Sequence, residues 1–312
     1  MQPPRFLVRL CALLALLVLQ GAALACQVCV VSSDKTPAFL EAFDSLSQEL
    51  ARNNGTRQDV ALLSVSEFLE GFGGVQDARL LVTLGTDALR QVAARNTKAP
   101  VLAGLIPRLS FERVLAESGR RSNSSVSALY LDQPFARQLD LLRLAIPHLR
   151  RVGVLWGPES VSQQALLGSA IQARGLELSE GTVNDGNSMI SALQSALRDA
   201  DVFLGVADAA VYNSTTVSNI LLTSYRAKVP VLAFSPAYVK AGALLSVHST
   251  AGQAGVQMAA MVTQFLQSNS LPPPQYPVDF TISTNDYVAR SLGLTLDAKA
   301  LTDKLRRTEK RP

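Results

Sequence analysis

Histidine, cysteine and aromatic residues are scarce: two His, three Cys, one Trp and 6% aromatics in 312 residues. Each shortage excludes some chemistry. Neither His148 nor His248 has a metal-ligand partner three or four residues away, so no zinc-type centre is expected. No G-x-S-x-G elbow occurs. The stretch EGFGGV at 70–75 is glycine-rich but is neither a phosphate loop nor a dinucleotide fingerprint, and reads as a loop. No catalytic residue, metal or cofactor is therefore predicted, and the chain reads as a non-enzyme. Apolar runs of membrane-spanning length are also lacking. The longest, 10–19, falls short of the ~20 residues a span requires. No period of about 20–50 residues repeats, which excludes a solenoid.

What is present begins with an export signal. Arg5 and Arg9 precede the apolar run, and Ala23-Leu24-Ala25 follows it as a small-residue cleavage site. Residues 1–25 are expected to be removed. The excess of basic residues is confined to the ends. Lys304, Arg306, Arg307, Lys310 and Arg311 make 304–312 a basic tail, expected to be frayed and solvated. Without the signal and tail the body is slightly acidic, and no nucleic-acid partner is implied.

Cys26 and Cys29 form a C-x-x-C pair. A redox pair belongs at a helix start, where the dipole lowers a thiol pKa. Cys29 instead sits in an apolar run that reads as a strand. Two fates are open for Cys26. It directly follows the cleavage site, as in a bacterial lipobox, where the first mature cysteine is lipidated. Ala23 stands where a lipobox usually has Leu, and release as a soluble periplasmic protein is the alternative.

From residue 27 short apolar runs alternate with longer amphipathic stretches, the pattern of βαβ units and parallel sheets. Strands are expected at 27–31, 60–64, 80–84, 101–105, 127–131, 152–156, 177–182, 202–206, 229–234, 243–247 and 278–283. Helices are expected after Thr36-Pro37, over 87–95, 135–145 and 188–198 (capped by Asn187), from 214 or 215 to 228, and over 250–268. Segments 118–125 and 268–276 read as surface linkers.

In an open parallel sheet, ligands bind outside the carboxyl ends of strands, near helix N-termini. The residues there are Ser33 and Asp34, Gly85 and Thr86, Pro107, Trp156, Gly157 and Glu159, Asp208, and Ser235 with Tyr238 slightly beyond. These are the candidate ligand contacts, with Trp156 or Tyr238 as an apolar wall.

The segments TSYRAKVPVLAFSPAYVKAGA at 223–243, LVTLGT at 81–86 and RVGVLWGP at 151–158, with the helix over 255–261, resemble the ABC transporter substrate-binding family that includes tryptophan- and tyrosine-type binding proteins. The likeness runs through nearly all of the chain after the signal. It implies a type I periplasmic binding protein fold: α/β, two Rossmann-like lobes with parallel sheets, joined by a three-crossover hinge. The N-terminal lobe would comprise 26–130 plus 247–275, and the C-terminal lobe 131–246 plus 276–303. The implied function is capture of a small solute, such as an amino acid or related aromatic or carboxylate solute, for an ABC permease in the inner membrane. Asp208 matches a family acid suited to a ligand amino group. Ala209 stands where relatives often carry Asn, and Trp156-Gly157 replaces a family Tyr-Asn. A ligand-sensing module for a membrane receptor kinase and an exported enzyme are the alternative readings.

Overall fold

The computed structural model describes residues 26–54, 60–95, 97–183 and 189–309. The expected signal segment, the Asn187 cap and the last three residues of the tail lie outside them. No described helix is long and apolar enough to cross a membrane. The chain divides into two compact units. Unit 1 contains Met1–Ile106, Ser110–Leu129 and Ala254–Gln275; unit 2 contains Pro107–Leu109, Tyr130–Gln253 and Tyr276–Pro312.

Unit 1 is built on a five-stranded sheet of order β2-β1-β3-β4-β5. The strands are β1 (Val28–Ser32), β2 (Val60–Ser64), β3 (Leu80–Leu84), β4 (Val101–Ile106) and β5 (Val126–Tyr130). β1 pairs in parallel with both β2 and β3. Every residue of β1 and β3 is buried, as expected of apolar runs covered on both faces. The covering helices are α1 (Pro37–Asn54), α2 (Val65–Leu69), α3 (Thr86–Ala94) and α4 (Arg108–Glu117), followed much later by α10 (Ala251–Ser268). α1 starts where Pro fixes the first helical φ, and it buries Ala42, Leu46 and Leu50 at four-residue spacing. Ser64 caps α2 reciprocally with Glu67, and those bonds hold the Glu67 carboxyl below its ordinary pKa. The glycine-rich stretch expected as a loop instead contains a 3-10 turn over Phe72–Asp77.

Unit 2 has a six-stranded sheet of order β11-β10-β9-β8-β6-β7. Its strands are β6 (Arg151–Trp156), β7 (Glu177–Thr182), β8 (Val202–Leu204), β9 (Val231–Ala233), β10 (Leu245–His248) and β11 (Thr281–Thr284). All pairings in it are parallel except β10 with β11. The helices are α5 (Phe135–Ala145), α6 (Gln164–Gln172), α7 (Met189–Leu197), α8 (Val217–Arg226), α9 (Pro236–Ala241), α11 (Asp286–Ser291) and α12 (Ala298–Glu309). Period-two alternation divides the core: Val152, Val154 and Trp156 join one apolar cluster, Leu155 and Phe203 the other. The edge strand β7 carries Glu177 and Glu180, charges that discourage pairing with another chain.

The tail departs from expectation. α12 runs through Glu309 and buries Leu301 and Leu305 in the core of unit 2. Burying one such leucine contributes about 2 kcal/mol, enough to hold a basic segment that composition alone would leave loose. Glu309 forms a bidentate pair with the buried Arg137 of α5. Arg137 also donates to Gln133 Oε1 at 2.8 Å, to the Pro277 carbonyl at 2.7 Å and to the Val278 carbonyl at 3.3 Å, and it lies over the Phe280 ring.

Candidate functional site

Both sheets reverse direction beside their first strand. β1 has β2 on one side and β3 on the other; β6 has β7 on one side and β8 on the other. The loops that follow β1 and β3, and those that follow β6 and β8, meet at these points, the positions at which open α/β sheets commonly bind ligands.

At the switch point of unit 1 the structure brings together Ser33, Gly85 and Thr86. The Ala88 N–H donates to Ser33 Oγ at 2.8 Å, so Ser33 caps α3 from a neighbouring strand end. Gly85 has φ 89°, and a Cβ there would meet Ser33 Oγ at 2.7 Å. Asp34 is exposed, and its Oδ1 accepts from the Lys35 N–H at 2.5 Å.

In unit 2 the expected residues also meet, but with different roles. Asp208 is only 4% exposed. Its Oδ2 accepts from the Glu159 and Ser160 N–H groups at 3.0 and 2.8 Å, and Oδ1 from the Ala210 N–H at 2.9 Å. A Cβ on Gly157 would lie 2.5 Å from that carboxylate. The acid thus laces the loop after β6 to the loop after β8, and the geometry gives no support to its expected bond with a ligand amino group. Trp156 is a correction of the same kind. Its ring is fully buried in the core, and its indole N–H donates to Glu180 Oε1 at 2.7 Å. No face of it is available to stack on a solute. Ser235 precedes α9 without a side-chain cap bond. Tyr238 packs edge-on against Phe234, centroids 4.8 Å apart, and burial raises its phenol pKa.

A cleft of unit 2 lies beside these residues. Of the candidate ligand contacts Pro107 alone lines it, together with Arg108, its neighbour at the end of the same strand. Gly205–Ala207 beyond β8 and Phe234 beyond β9 form one side; Leu131 and Phe135 add apolar surface. Tyr212 and Tyr238 both meet Phe234 edge-on, which fixes its ring. The charged lining consists of Arg108 and Asp132. The Arg108 backbone N–H donates to Asp132 Oδ2 at 2.6 Å, and its Nη1 donates to Tyr276 Oη at 3.0 Å. The Tyr276 ring rests edge-on against Tyr130. Gln133 donates through Nε2 to Ser249 Oγ at 2.9 Å while its Oε1 accepts from Arg137, so its amide orientation is set.

Apolar walls surround one cation, one anion and several amides, the composition of a small-molecule site. His248 lies at the end of β10, where burial lowers its pKa, with Nδ1 3.2 Å from Ser246 Oγ. His148 is exposed. Among the described residues no group of three or more His, Cys, Asp or Glu could hold a metal ion.

A model of the ABC transporter substrate binding protein family matches residues 67–303. No curated protein matches. Among solved structures, a ligand-free, open substrate-binding protein with adhesive properties from Clostridium difficile superposes with a TM-score of 0.67 at 16% identity, over 87% of this chain and 96% of its own. An ABC domain from Streptococcus pneumonia, crystallised with L-Trp, gives 0.60 at 17%, over 88% and 96%. A conserved domain protein from Vibrio cholerae gives 0.59 at 20%, over 89% and 97%. The shared architecture is the type I periplasmic binding protein fold.

Proposed function

Because this chain belongs to the ABC transporter substrate-binding protein family, we propose that it is exported, captures a small solute and supplies it to an importer permease in the inner membrane. The observation that carries the reading is the cleft of unit 2, where Arg108 and Asp132, beyond β4 and β5, share the lining with apolar residues that include Phe234 beyond β9. A planar amphipathic solute with a carboxylate and a polar or amino group suits that lining: Arg108 faces the anion, Asp132 the amine, and Phe234 the apolar part. An aromatic amino acid has this chemistry, and the pneumococcal relative binds L-Trp. Ser33, Asp34, Gly85 and Thr86 are the ligand contacts proposed for unit 1.

The test is a thermal-shift and calorimetric screen of amino acids, aromatic acids and small peptides on the mature protein. A binder stabilises the folded state by mass action, by about 2.7 kcal/mol at a hundredfold excess over Kd. Arg108→Ala and Phe234→Ala should abolish the shift while leaving the unliganded melting point within a few degrees. A shift that survives both variants rejects this cleft. Turnover of a screened compound favours the exported-enzyme reading. Loss of solute uptake in cells lacking the protein supports the importer role; unchanged uptake favours a sensor.

A further inference from the structure

Cys26 and Cys29 are joined by a disulfide, with Cα atoms 5.6 Å apart, within the ordinary range for the bond. Cys29 is the second residue of β1 and is fully buried; Cys26 is 3% exposed. Between them the Gln27 carbonyl accepts from the Arg79 N–H at 3.0 Å and the Leu80 N–H at 3.2 Å. The chain is therefore fastened to the sheet from residue 26 onward, and β1 begins only two residues later.

We propose that Cys26 is one half of a structural disulfide and is not a lipid-attachment site, so that the protein is released rather than anchored. Two constraints converge on this. A thioether to a lipid and a disulfide to Cys29 require the same sulfur. A lipidated first residue also needs slack between its acyl chains and the folded body, and the bonds at Gln27 leave none. The oxidation balances as thiol–disulfide exchange. The two thiols give up two protons and two electrons to the disulfide of an oxidant protein, which leaves as its dithiol. Such partners operate in oxidising, extracytoplasmic compartments. The inference rests on the export part of the proposed function and is independent of the solute.

The experiment expresses the full precursor in a bacterial host with export and lipidation machinery. Intact mass and maleimide labelling in denaturant are read before and after reduction. The expected product is a released chain without acyl groups, unlabelled until reduced and then labelled at both cysteines. Cys26→Ser should still be processed and released, and Cys29→Ser should show one free thiol. An acyl-bearing mass, or a Cys26→Ser precursor retained in the membrane, overturns the proposal. Two free thiols on an exported, unacylated chain overturn the disulfide but leave solute capture standing. Three free thiols on an unprocessed cytoplasmic chain, which retains Cys11, overturn export itself, and the proposal with it.

Discussion

The two switch points share a topology and differ in how they are closed. In unit 1 the work falls to small groups: Ser33 accepts one N–H bond, and Gly85 makes room for it. In unit 2 an acidic side chain takes that place. Asp208 gathers three backbone N–H groups while Gly157 gives it space. The lesson is that an acid at a strand end can be structural even where topology marks a binding crevice. A carboxylate surrounded by N–H donors stabilises the loops around it.

The contrast can be broken most directly at Asp208. Asp208→Ala deprives three N–H groups of their acceptor, that of Ser160 fully buried, and should destabilise unit 2 by about 2–3 kcal/mol, read by urea unfolding. Unchanged stability with abolished solute binding would instead restore the acid to the ligand. Next come the glycines. Gly157→Ala and Gly85→Ala each force a Cβ into an occupied space, and each should cost about 1–3 kcal/mol in the unit that carries it. Hydrogen exchange resolved by unit checks whether the losses stay local. Ser33→Ala removes one acceptor and should cost about 1 kcal/mol, less than its counterpart in unit 2. A loss equal to that of Asp208→Ala would erase the asymmetry.

The smallest effect concerns acid. Both histidines lie in unit 2, and burial holds the His248 pKa below its unfolded value of 6.5. Below that value the unfolded chain binds more protons, so stability falls as pH drops. Acidification from roughly pH 7 to 5.5 should weaken unit 2 through this group, and His248→Gln should reduce the loss. Melting curves of the two proteins at both pH values decide it.

β3 was legible because a buried parallel strand is a continuous apolar run, and it has its expected limits; β2 and β7 also have theirs, though β2 is only half-buried and β7 is a polar edge strand. Trp156 was open to two readings from its place at a strand end, a wall for the solute or a core residue, and the structure buries it. The overlooked signal is parity: it shares a face with Val152 and Val154. α12 was hidden by its charge, although Leu301 and Leu305 stand one turn apart on its buried side. Arg108 and Tyr276 meet across 168 positions of sequence, a separation no local pattern reports. Only the hinge crossings implied by family resemblance pointed toward such pairings.

Arg137 makes the chain's far end a matter for the cleft. Its guanidinium is held by Glu309 at the end of α12 and in turn holds Gln133, which lines the cleft. A shortened version lacking the final helical turn would leave an interior cation without its anion, beside an amide that had lost its alignment. Trimming that basic extremity to obtain a tidier crystallisation sample is therefore unsafe. A tag appended after it leaves the latch in place.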